Sequence, residues 1–115
     1  MKIRNKSSRI PGFYKVTVDE RRALVEDAAG VPSGTIAASV AGGGLDAVTA
    51  DKFAANVVGT YALPYGITLN VRINDRDFLV PMVVEEPSVV AAASNASRMI
   101  RDGGGFTAEG DEPLM

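Results

Sequence analysis

The sequence predicts an α+β fold: short N-terminal helices, an antiparallel β-hairpin, then a buried helix. Three observations carry this. Residues 17–57 hold helix starts and glycine stops without strand alternation. From Ile67 the period changes to two, with Ile67, Leu69, Val71 and Ile73 alternating with Thr68, Asn70 and Arg72. After Glu85-Glu86-Pro87, a run of small and β-branched residues continues without charge to Arg98.

Taken in order, residues 1–16 form a basic, polar arm with a turn at Pro11-Gly12. Thr17 and Glu20 have the spacing of a capping box, Leu24, Val25 and Ala28 make an apolar stripe, and Gly30 stops the helix. A second short helix is expected from Thr35 to Val40. A third is expected from Asp46 or Thr49 to about Val57, with Val48, Phe53 and Val57 apolar. Asn74-Asp75 suits the left-handed turn of a hairpin whose return strand runs from Phe78 through Met82-Val83-Val84. Pro81 cannot donate to a ladder, so its nitrogen should face an edge or a bulge. Pro87 fits the first turn of a helix to about Arg101, apolar all round from Val89 to Ala93 and therefore buried. Arg98 and Arg101 complement the dipole at its C-terminus, and Gly103-Gly104-Gly105 end it. Phe106-Thr107-Ala108 has the character of a strand start.

Composition narrows the chemistry. The 115 residues carry a net charge of −2, no cysteine and no histidine. Disulfides, cysteine nucleophiles and thiolate metal sites are excluded, and so are the commonest general base and zinc ligand; no metal is expected. No basic stripe asks for nucleic acid, and no apolar run of 18 residues asks for a membrane. No signal-peptide core follows the basic start, so a cytoplasmic protein is expected.

The candidate site is the strand-to-helix junction at Glu85-Glu86. Two acids before a helix stabilise its N-terminus electrostatically, by ~0.3–1 kcal/mol each. A carboxyl enclosed by apolar side chains has another capacity: its pKa rises, so it holds a proton to deliver to a developing alkoxide. Alternation along the strand would send one of the two inward and the other to solvent. Ser88 stands where free helix N–H groups favour an anionic ligand, or bonds locally as a first-turn residue. Arg9 or Lys15 could meet a phosphate. The glycine triplets at 42–44 and 103–105 lack the dinucleotide fingerprint and read as loops. Asn56-Val57-Val58-Gly59-Thr60 followed by Leu63-Pro64 suggests either a plain helix-to-strand connection or a closely packed crossing.

Three stretches in one order carry a family resemblance: Ser8-Arg9-Ile10-Pro11-Gly12-Phe13, Asn56 to Gly66, and Val80 to Ser94 with its Glu85-Glu86-Pro87-Ser88 segment. Together they resemble the N-terminal part of bacterial (class II, degradative-type) 3-hydroxy-3-methylglutaryl-coenzyme A (HMG-CoA) reductases. The resemblance implies NAD(P)H-dependent interconversion of HMG-CoA with mevalonate and coenzyme A. It places the catalytic acid on Glu86, substrate contact on Ser88 and, loosely, on Arg9, and a homodimer interface on Asn56, Val57, Val58 and Gly59. Ala55 stands where the family's dimer motif usually has glutamate. Residues 1–108 would then be the first part of the large, HMG-CoA-binding domain, and 109–115 the approach to a dinucleotide-binding domain. The NADH or NADPH site and the partner lysine, aspartate and histidine have no counterpart in these residues, so the chain alone is expected to be inactive. The alternative is a small non-catalytic α+β interaction module, or a decayed reductase copy.

Overall fold

The computed structural model describes residues 7–112. Four α-helices and one two-stranded antiparallel sheet appear in the expected order: α1 (Val18–Ala29), α2 (Thr35–Ser39), α3 (Ala47–Phe53), β1 (Tyr65–Ile73), β2 (Arg76–Val83) and α4 (Val89–Asp102). The α+β class is as the sequence predicts.

The local signals explain most helix ends. Thr17 accepts from the Glu20 N–H while the Glu20 carboxylate accepts from the Thr17 N–H, closing the capping box that starts α1. Gly30 ends it in the left-handed conformation, φ 69°. The N-terminus of α2 is capped from outside: the buried Glu26 of α1 accepts from the Ile36 N–H at 2.9 Å. Asp46 caps α3 through the Thr49 N–H. That helix stops at Phe53, four residues before the expected Val57, and Val48 and Phe53 are exposed. Ala50 is its one buried residue, so little tertiary surface supports it, and so short a helix gains little from propensity alone.

The hairpin is the middle of the molecule. Asn74 and Asp75 take φ 49° and 62°, the paired positive values of a type I′ turn. The register pairs Gly66 with Met82 and Thr68 with Val80, then resumes at Val71 with Phe78. Leu69 and Asn70 thus oppose Leu79 alone in a β-bulge, with Asn70 at φ 65°. The Val84 N–H bonds to the Pro64 carbonyl. By alternation the hydrogen-bonded pairs are 66 with 82 and 68 with 80, so Pro81 directs its nitrogen to the outer edge of β2. There it removes no ladder bond and blunts an edge that would otherwise invite a strand.

Leu79 and Val25 are fully enclosed and form the core with Ala28, against which Ile10, Phe13, Ile36, Ile67 and Leu69 pack. Of the expected α1 stripe, Val25 and Ala28 are buried and Leu24 is exposed. Val80 and Met82 point away from Leu79, towards Ala93 and Ser97 of α4 across an apolar groove of about 380 Å³. Phe106 forms a single parallel bridge to Ile73, not a strand.

The expectation that α4 is buried needs correction. One side of it packs on β1, but Ala91, Ala92 and Met99 are exposed and Ser97 is its one buried residue. The apolar surround of residues 89–93 is wider than a two-stranded sheet can cover. Pro87 also lies earlier than expected, in the turn before the Ser88 N-cap.

Candidate functional site

The ladder ends at Val83, two residues short of the acid pair, so Glu85 and Glu86 lie in a bend, not in a strand. Alternation therefore does not act on them, and both side chains are exposed. The correction is physical: the apolar enclosure expected around Glu86 is not formed by these residues. What they form is an open cleft of about 330 Å³, walled by Pro64, Tyr65 and Gly66 on one side and by Val84 to Pro87 with Val90 on the other. Glu85 and Glu86 both line it, and Pro87 fixes the backbone between them and α4.

Ser88 is the N-cap residue of α4, with φ −95° and ψ −9°, and its hydroxyl makes no capping bond. Of the two alternatives for Ser88 the local capping bond is absent, and the residue is exposed next to Pro87 of the cleft. The first turn of α4 is held by the Ala92 N–H bonding to the Ser88 carbonyl at 2.9 Å. One turn further on, the Ser94 hydroxyl accepts from the Leu69 N–H at 3.0 Å, and the Ser94 carbonyl accepts from the Asn70 side chain at 3.0 Å. The bulge thus offers α4 an amide that no strand uses.

Arg9 does not join the cleft. Its side chain is exposed in the arm, and its neighbour Ser8 is bonded beside Val71. Val71 lies five residues, about 16 Å, along β1 from Gly66. Lys15 stacks over Tyr14, 5.6 Å from the ring centre. Asn56 lies in a turn at φ 59°, and Val57 to Gly59 begin an irregular arm that reaches Pro64, with Val57 half-buried and Val58 at 104% exposure.

A second cluster went unseen in the sequence. Ser8, at 0% exposure, gives its N–H to the Asp77 carboxylate at 2.7 Å, and its hydroxyl lies 3.1 Å from both Asp77 and the Val71 carbonyl. Arg101 grips Asp77 with both terminal nitrogens at 3.0 Å and also reaches the Ser8 hydroxyl. Burial pushes the Asp77 carboxyl up, but the bonds from Arg101 and Ser8 and the arginine charge outweigh it and hold the group below its usual range. Arg101, in the last turn of α4, suits a partner of that helix's own dipole. Its target is 24 positions away, and no local pattern signals such a pair.

Among the described residues no three histidine, cysteine, aspartate or glutamate side chains converge to hold a metal ion. No helix there is long and apolar enough to cross a membrane. Neither glycine triplet stands between a strand and a helix N-terminus. Residues 41–43 make a 3₁₀ turn closed by Gly44, and Gly105 packs against the Arg72 carbonyl after α4 has ended. These residues do not fit a dinucleotide.

The family model for hydroxymethylglutaryl-coenzyme A reductase matches residues 17–115. The chain belongs to the HMG-CoA reductase family. The 3-hydroxy-3-methylglutaryl-coenzyme A reductase of Archaeoglobus fulgidus is 51% identical to this reductase segment over 109 residues, covering 95% of the chain and 25% of that protein. A solved reductase from Streptococcus pneumoniae superimposes with a TM-score of 0.75 at 41% identity, over 84% of this chain and 23% of that one. A class II reductase structure from the same organism, bound to NADPH, gives 0.76 at 41% identity over 86% of this chain and 27% of its own. The chain spans about a quarter of the length of the relatives it matches.

Proposed function

We propose that this segment is the first part of the substrate-binding domain of an enzyme that interconverts HMG-CoA with mevalonate and coenzyme A, using NADH or NADPH bound elsewhere. The observation that carries the reading is the position of Glu86 in a chain of this family. The acid stands at the wall of an open cleft, fixed between the end of β2 and Pro87. In this reading the Glu86 carboxyl delivers or takes the proton at the reacting oxygen, and further residues of the complete enzyme close the cleft around it. The Ser88 hydroxyl, free of capping duty, bonds to the HMG moiety.

Residues 1–108 belong to this domain in the proposal, with 109–115 leading towards the dinucleotide-binding one. The exposed arm at Asn56, Val57, Val58 and Gly59 pairs with a second copy. Arg9 serves coenzyme A only through a surface remote from the cleft, so Glu86 and Ser88 carry the proposal.

The test is NAD(P)H oxidation with HMG-CoA by the complete gene product. Turnover is expected, and its absence with both nucleotides overturns the reading. Residues 1–115 alone contain no histidine to protonate a departing thiolate, and no turnover is expected from them.

A further inference from the structure

Gly66 lies inside β1, where a glycine weakens a strand and needs a reason. It is not among the glycines with positive φ, so backbone conformation does not supply one. The reason is space. A Cβ at Gly66 would stand 3.2 and 3.4 Å from the two methyl carbons of Val90 and 3.7 Å from its Cβ. Val90 cannot turn aside cheaply, because a valine in a helix has one strongly preferred rotamer. The helix must yield instead, and its freedom is limited. Ser94, one turn along the same face, is tied to β1 through Leu69 and Asn70. A push at residue 90 therefore pivots α4 about Ser94 and swings its N-terminal end outward. That end carries Ser88 and the Glu86 corner.

We infer that Gly66 is a positioning residue: its missing side chain sets how closely the first turn of α4 approaches β1, and so where Glu86 stands in the cleft and Ser88 next to it. The inference rests on the reductase reading for its catalytic consequence, not for the geometry. Ser88 lies about 9 Å from the pivot and residue 90 about 6 Å, at ~1.5 Å per residue. A displacement of a few tenths of an ångström at Val90 becomes about half an ångström at Ser88. Misplacement by ~1 Å costs on the order of a hundredfold in rate, so about tenfold is expected here.

The experiment has two arms in the complete gene product. Gly66→Ala should lower kcat about tenfold, and Gly66→Ala with Val90→Ala, which removes the opposing methyls, should restore most of it. A general loss of folded protein would not be relieved by a second cavity-forming change. In the second arm, amide exchange should quicken at residues 90–93 in Gly66→Ala while Val71 and Leu79 keep their protection. Wild-type kcat and exchange in Gly66→Ala, or a loss that Val90→Ala does not relieve, overturns the inference. An inactive wild-type enzyme defeats the reductase reading instead, and the exchange arm still decides whether Gly66 positions α4.

Discussion

At the scale of single residues, the two acidic positions that matter most have opposite environments. Asp77 is held by Arg101 and Ser8, with side chains of the ion pair only 16% and 15% exposed. Glu86 is exposed at the cleft. The motif Glu-Glu-Pro-Ser made Glu86 legible because it is contiguous, whereas the Ser8–Asp77–Arg101 cluster joins three distant segments and left no local trace. Each makes its own claim. Glu86→Gln in the complete enzyme should lower kcat by orders of magnitude while the substrate Kd changes little; a near-normal kcat would return Glu86 to helix capping. Asp77→Asn should destabilise the fold at neutral pH by about 2 kcal/mol, since it leaves an arginine poorly exposed and half-paired. The pH dependence follows from the direction of the shift. A carboxyl held below its unfolded value of about 3.9 contributes fully above that pH, and the contribution is lost as pH falls through the lower folded value. Denaturant midpoints at pH 7 and pH 3 should therefore converge for the two proteins in acid. A constant gap between them would show that Asp77 does not stabilise through its charge.

At the scale of elements, the ends of structures were easier to read than their surroundings. Thr17 with Glu20, Gly30 and Asn74-Asp75 each act through a neighbour within a few positions, and each behaves as its chemistry dictates. The bulge at Leu69-Asn70 was invisible, because alternation through Ile67, Leu69, Val71 and Ile73 suggested one unbroken strand. Asn70 can hold its left-handed conformation since asparagine tolerates it, and its side chain is rewarded by the Ser94 carbonyl. The helix expected to reach Val57 stops at Phe53 for the converse reason: apolar residues at helical spacing specify a helix only where something packs on them. Capping energies can be checked directly. Thr17→Ala removes the side-chain acceptor of the capping box and should cost about 1 kcal/mol. For a chain of this size that lowers the thermal midpoint by about 4 °C. An unchanged midpoint would mean that α1 is fixed by Val25 and Ala28 in the core and that its cap contributes nothing.

At the scale of the whole molecule, the chain is more open than its size requires. Its radius of gyration is 16.5 Å, against about 13 Å for a compact domain of similar length. The excess has a structural source. Residues 57–63 run outside any helix or strand, and they carry Val58 at 104% and Tyr61 at 93% exposure, a few positions after the exposed Phe53 that ends α3. The sequence suggests a close crossing through Asn56 to Gly59, but among the described residues only Val57 of this stretch is half-buried. Water is a poor solvent for Val58 and Tyr61 on the arm and Phe53 at the end of α3, and burying a valine or phenylalanine contributes roughly 1.5–3 kcal/mol where a partner surface removes it from water. The proposed second copy gives that surface. Val58→Asp tests it cleanly, because a side chain fully exposed in the monomer supports nothing within it. In the complete gene product the substitution should shift the mass measured by light scattering from dimer to monomer and leave the helix signal in circular dichroism unchanged. A dimer that survives a carboxylate at position 58 would place the interface elsewhere, and the arm would then need another partner to cover Tyr61 and Phe53.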